Sequence, residues 1–100
     1  MFVIGGAVGR PEIPRRVGCI GPRQGFKPVG RPSVELEVET LRVDELEALR
    51  LADLEGLYQE AAAERMGVSR PTFSRILARA RTLVARSLIE ERLLAIGDRP

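Results

Sequence analysis

At 100 residues the chain has room for one domain, and a composition 44% hydrophobic but only 4% aromatic favours a small core of Leu, Ile, Val and Ala packed between helices. The lone Cys19 and the absence of histidine exclude an internal disulfide and any zinc or Cys/His centre built from one copy, so neither a metal nor another cofactor is expected. The net charge of +2 hides a segregation by sign, and fifteen of the sixteen basic residues are Arg, the side chain suited to bidentate contacts with phosphate and guanine.

Residues 1–33 read as an extended, mostly irregular basic N-terminal arm. They hold five of the seven prolines and seven of the ten glycines, which rules out a continuous helix, and six basic residues against Glu12, a net of +5. The apolar run Met1 to Val8 lacks a basic start and is too short for a secretory core or a bilayer span, so a cytoplasmic protein with no membrane partner is expected. A short strand is expected near Arg16 to Ile20. Of the arm's cations, Arg10, Arg15, Arg16, Lys27 and Arg31 are assigned to nucleic-acid phosphates. Gly9-Arg10-Pro11 and Gly30-Arg31-Pro32 repeat the core of a minor-groove hook, but both copies lack the preceding Arg and read more simply as loop punctuation.

The domain proper is placed at residues 34–100. Its first half, residues 34–66, carries ten acids against three basic residues, a net of −7, while residues 67–100 carry seven Arg against three acids, a net of +4. That separation suggests basic surfaces facing a polyanion with the acidic block turned away from it. Val34, Leu36 and Val38 alternate with acids as an extended lead or a frayed helix start. From Val43 the apolar period becomes helical: Val43, Leu46, Leu49 and Leu54, widened by Ala48 and Leu51, predict a first helix over Val43 to Leu54, stopped by Gly56. Asp44 and Glu47, one turn apart, are accompanied by no nucleophile or phosphate loop; the preference of a helix N-terminus for anions accounts for them, and no enzyme is expected.

A second helix is predicted over Tyr58 to Met66, ending at Gly67. Ser69 then offers a cap and Pro71 a first-turn residue for a third helix, whose Phe73, Ile76, Leu77, Ala80, Val84 and Leu88 keep one face apolar. Ala63, Gly67, Val68, Phe73 and Ile76 stand where a helix-turn-helix needs a small residue at the crossing, a left-handed residue at the turn and apolar plugs in the angle. The expected fold is therefore all-α, a three- to four-helix domain built on that motif. Ser69 to Arg86 contains five Arg and no acid. With a recognition helix at about 70–81 entering a major groove, Arg70, Thr72, Ser74 and Arg75 are assigned to the groove, Ser69 to the helix start, and Arg79 and Arg81 to phosphates. Leu83, Leu88, Ile89, Leu93 and Leu94 offer either a dimer surface or a face packed on the chain's own domain.

The run Asp44-Glu45-Leu46-Glu47-Ala48-Leu49-Arg50-Leu51-Ala52-Asp53-Leu54-Glu55-Gly56-Leu57-Tyr58-Gln59-Glu60, followed by Ala63-Glu64-Arg65-Met66-Gly67-Val68-Ser69-Arg70 and Thr72-Phe73, resembles the domain of unknown function 134 family. The likeness extends upstream through Arg15-Arg16-Val17 and Phe26-Lys27-Pro28. It implies a DNA-binding domain similar to region four of bacterial sigma factors, which reads promoters with four helices. Pro71 stands where the family usually has Gln, Arg42 where a Thr would cap the first helix, and Ala61 where Glu is usual. Together these readings predict sequence-specific binding of duplex DNA by a homodimeric transcriptional regulator. The alternative is a sigma-like module that docks on RNA polymerase or another regulator and touches DNA weakly or not at all; RNA binding is a third reading.

Overall fold

The computed structural model describes residues 24–97. Arg10, Arg15, Arg16 and the strand expected near Arg16 to Ile20 lie outside those residues. The elements run β1 (Gln24–Phe26), a 3-10 turn (Ser33–Glu35), β2 (Val38–Leu41), α1 (Val43–Leu49) continued by a π-helical turn (Arg50–Leu54), α2 (Gln59–Met66), α3 (Arg70–Ile89) and β3 (Leu93–Ile96).

The fold is mostly helical, and it also contains a three-stranded sheet that corrects the all-α expectation. The strand order is β1-β3-β2, with β3 antiparallel to β1 and parallel to β2. The apolar run Leu93-Leu94-Ala95-Ile96, which suits a helix or a buried strand equally, is strand β3. The chain turns at Glu91, a non-glycine residue held at φ 56°, while the Arg92 N–H donates to the Ser87 carbonyl at 3.0 Å. No Gly or Pro marks that reversal, and Leu93, Leu94 and Ala95 are then buried as a central strand. Strand β1 lies within the stretch read as the arm, and the extended lead at Val34 to Val38 divides into the 3-10 turn and the start of β2.

The helical segments match the sequence more closely. Helix α1 opens with the Arg42 backbone N–H donating to Glu45 Oε1 at 2.8 Å, the half of a capping box that the N3 carboxylate supplies whatever residue stands at position 42. The predicted first helix widens in its last turn, where the Glu55 N–H reaches the Arg50 carbonyl five residues back at 2.9 Å. Helix α3 runs unbroken through Arg86 to Ile89.

Two apolar clusters fill the interior. Ala48, Leu51, Ala62, Ala63, Phe73 and Leu77 form one between α1, the π turn, α2 and α3; Leu41, Ala80, Leu83 and Leu94 form the other between α3 and the sheet, and Leu49 packs against both. Burial of Leu83, Leu93 and Leu94 removes them from the candidate dimer face, because they pack within their own domain. Leu88 and Ile89 remain exposed. Among the described residues no helix is long and apolar enough to cross a membrane.

Candidate nucleic-acid interface

Helix α2, the turn Gly67–Ser69 and α3 build the candidate interface. Gly67 takes φ 71°, a left-handed conformation that costs glycine little. It lets the Val68 N–H bond the Ala63 carbonyl at 3.0 Å and its own N–H bond the Glu64 carbonyl at 3.1 Å, closing α2 with the paired bonds of a Schellman motif. Two residues later Ser69 Oγ accepts the Thr72 N–H at 3.3 Å and starts α3, with Pro71 in the first turn. Buried Ala62 and Ala63 let α2 approach α3 closely, Phe73 and Leu77 fill the angle, and Met66, Val68 and Ile76 pack around them.

Opposite its buried residues Phe73, Leu77, Ala80, Leu83 and Ser87, α3 presents Pro71, Arg75, Ala78, Thr82 and Ala85, all exposed and spaced as one helical stripe. This crest is slim and, apart from Arg75, uncharged. At 3.6 residues per turn, Arg70 and Arg81 fall on one shoulder of it and Arg79 and Arg86 on the other.

Ion pairing sorts these arginines. Of the ten among the described residues, eight lie within 4.0 Å of a carboxylate. On the shoulders of α3, Arg79 Nε sits 2.8 Å from Glu45 Oε2, Arg86 Nη1 3.0 Å from Glu39 Oε2, and Arg81 holds Asp53 through Nε at 3.1 Å and Nη2 at 2.6 Å. The Arg81 hydrogen bonds hold the Asp53 carboxyl below its ordinary value of 3.8, and Asp53 in turn raises Arg81. The two arginines with no carboxylate partner among the described residues are Arg70 and Arg75, both in the first two turns of α3. Arg75 instead donates from Nη2 to Thr72 Oγ1 at 3.2 Å.

The assigned residues thus fall into distinct settings. Arg70 and Arg75 stand exposed at the start of the helix. Ser69 and Thr72 serve the cap, with Ser69 Oγ donating to Thr72 Oγ1 at 3.0 Å. Half-buried Ser74 donates to Gln59 Oε1 and ties α3 to the start of α2. Arg79 and Arg81 reach solvent but are already paired. Lys27 donates from Nζ to the Arg31 carbonyl, and Arg31 Nη1 lies 3.1 Å from Glu91, beyond the far end of α3. The expectation that the acidic block turns away from the basic one is corrected: Glu39, Glu45 and Asp53 lie against the shoulders of α3 because the elements that carry them are packed on it. Sequence reasoning passed over these three acids as partners, since nothing in the linear pattern distinguishes them from the seven others in their segment.

Residues 5–98 match the family model described as protein of unknown function DUF134. The chain is similar to a UPF0251 protein of Desulforudis audaxviator, 54% identical over 89 residues that cover 89% of this chain and 58% of that protein. A UPF0251 protein of Vibrio vulnificus is 49% identical over 89% of both chains. One from Rhodospirillum rubrum is 53% identical over 91% of this chain and 64% of its own length. The chain therefore spans less than two thirds of several relatives and most of another. No solved structure matches it.

Proposed function

The chain belongs to the family of proteins of unknown function DUF134, and from that premise and the geometry above we propose that it binds duplex DNA in a sequence-specific manner as a transcriptional regulator, with α3 in the major groove. The observation that carries this reading is the isolation of Arg70 and Arg75: every other described arginine meets a carboxylate, and these two stand exposed in the first two turns of α3, where a helix-turn-helix would present its recognition helix. Two further features support it. The N-terminus of α3 adds the positive end of a helix dipole, and the slim crest beyond Arg75 lets the helix backbone approach a groove floor.

One such helix reads few base pairs, so we propose a homodimer on a two-fold operator. The test is duplex selection from a random pool followed by salt titration of the selected site. A palindromic site is expected, together with a linear fall of log affinity against log salt. Arg75→Ala is expected to weaken the selected site by about 1–3 kcal/mol and to relax preference at one base position. Unchanged binding by Arg70→Ala and Arg75→Ala, both folded, would refute the assignment and favour a module that docks on protein.

A further inference from the structure

The shoulder pairs of α3 differ in one respect that bears on the proposed DNA contact. Glu45 is buried, its side chain 4% exposed, and its other oxygen caps α1, so it is built into the fold. Asp53 is not. Its side chain is 42% exposed, it stands at the solvent edge of the π turn, and Arg81 is the one side chain among the described residues that it pairs with. Two carboxylate oxygens there occupy the Nε and Nη2 edge of Arg81, the edge with which a guanidinium takes two oxygens of a phosphate.

We propose that Asp53 is an affinity-limiting residue: its carboxylate occupies the phosphate-binding edge of Arg81, so that the DNA backbone must displace it to gain that contact. This rests on the DNA-binding reading above and deepens it. The π turn matters because one extra residue per turn shifts the register of Asp53 relative to α1, and it is Asp53 that meets Arg81 across the helix pair. An exposed pair of this kind is weak, so exchange for phosphate is feasible; yet the departing carboxylate stays close and repels the incoming anion. Removing its charge releases Arg81 and removes that repulsion together.

The experiment measures affinity for the selected duplex across a salt series for the full chain and for Asp53→Asn, Arg81→Ala and the double variant, with circular dichroism to confirm folding. Glu60→Gln, an exposed acid in no ion pair among the described residues, controls for net charge. Asp53→Asn is expected to tighten binding roughly three- to tenfold at low salt and to steepen the log–log salt slope by about 0.9, one more phosphate neutralised. Arg81→Ala is expected to abolish that gain in the double variant, and Glu60→Gln to give a smaller gain with no change of slope. A neutral or weakening Asp53→Asn, or a gain that survives Arg81→Ala, overturns the proposal. If wild type binds and Arg75→Ala weakens it while Asp53→Asn is neutral, only this inference fails; if neither wild type nor Asp53→Asn binds duplex, the DNA-binding reading fails with it.

Discussion

Replacing Glu45 by Gln probes the buried carboxylate under the candidate interface, and its effect can be worked from two hydrogen bonds. Oε1 accepts the part-buried Arg42 N–H at 2.8 Å, and Oε2 lies 2.8 Å from Arg79 Nε. A glutamine has one carbonyl oxygen for these two donors. It keeps the Arg42 bond, whose donor is part-buried, and presents its amide N–H groups to Arg79. The loss is one charge-assisted hydrogen bond, about 1.5–3 kcal/mol. Glu45→Ala removes both bonds and adds the loss of the helix cap, roughly another 1 kcal/mol. For a domain of this size, with a total stability of about 5–15 kcal/mol, either change is a large fraction. Urea unfolding followed by far-UV circular dichroism measures it: with a slope of about 1–2 kcal/mol per molar, Glu45→Gln should lower the midpoint by roughly 1–2 M and Glu45→Ala by more. A Glu45→Gln protein as stable as wild type, or one as unstable as Glu45→Ala, would refute this division of labour between the two oxygens.

Gly67→Ala should destabilise by about 1–2 kcal/mol through backbone conformation alone, since Gly67 holds φ 71° and a Cβ there meets nothing within 4 Å; an unchanged melting temperature would contradict that geometry. The Asp53–Arg81 pair should make stability fall with acid. Because the folded carboxyl titrates below its ordinary 3.8, the contribution is complete above the unfolded value and is lost as pH falls through the folded one. Both side chains are about half exposed, so the difference between wild type and Asp53→Asn is below about 1 kcal/mol at neutral pH and should shrink as pH falls below 3.8, as parallel urea titrations would show.

The segment from α2 through the turn to α3 was legible because its determinants are local. Ala63, Gly67, Ser69 and Phe73 act within a few residues of one another, and the cap, the left-handed turn and the helical period that they encode all stand where the sequence places them. The sheet was not legible, because its strands are three and four residues long and β2 finds its partner across the whole helical segment. An apolar run such as Leu93 to Ile96 suits a helix or a buried strand equally; only the turn at Glu91, unmarked by Gly or Pro, decides between them.

Charge was legible in amount and misleading in arrangement. Summed by segment, an acidic half followed by a basic one suggests two opposed surfaces. Folded, α1 brings Glu45 to one shoulder of α3 and the π turn brings Asp53 to the other, while β2 brings Glu39 to its later turns. A basic helix lined in this way is quenched along its flanks and left positive at its start. Glu39, Glu45 and Asp53 pair with Arg86, Arg79 and Arg81 in the later turns of α3 and not with Arg70 or Arg75, and near the start of that helix α2 offers the uncharged Gln59, which accepts a hydrogen bond from Ser74. The position of the free cations is therefore a consequence of packing order, and an acid introduced at position 59 should act as the other three do: Gln59→Glu, which faces Ser74 one residue before Arg75, is expected to weaken duplex binding without unfolding the chain. Binding at wild-type strength by that variant would mean that the free arginines owe nothing to the absence of nearby acids.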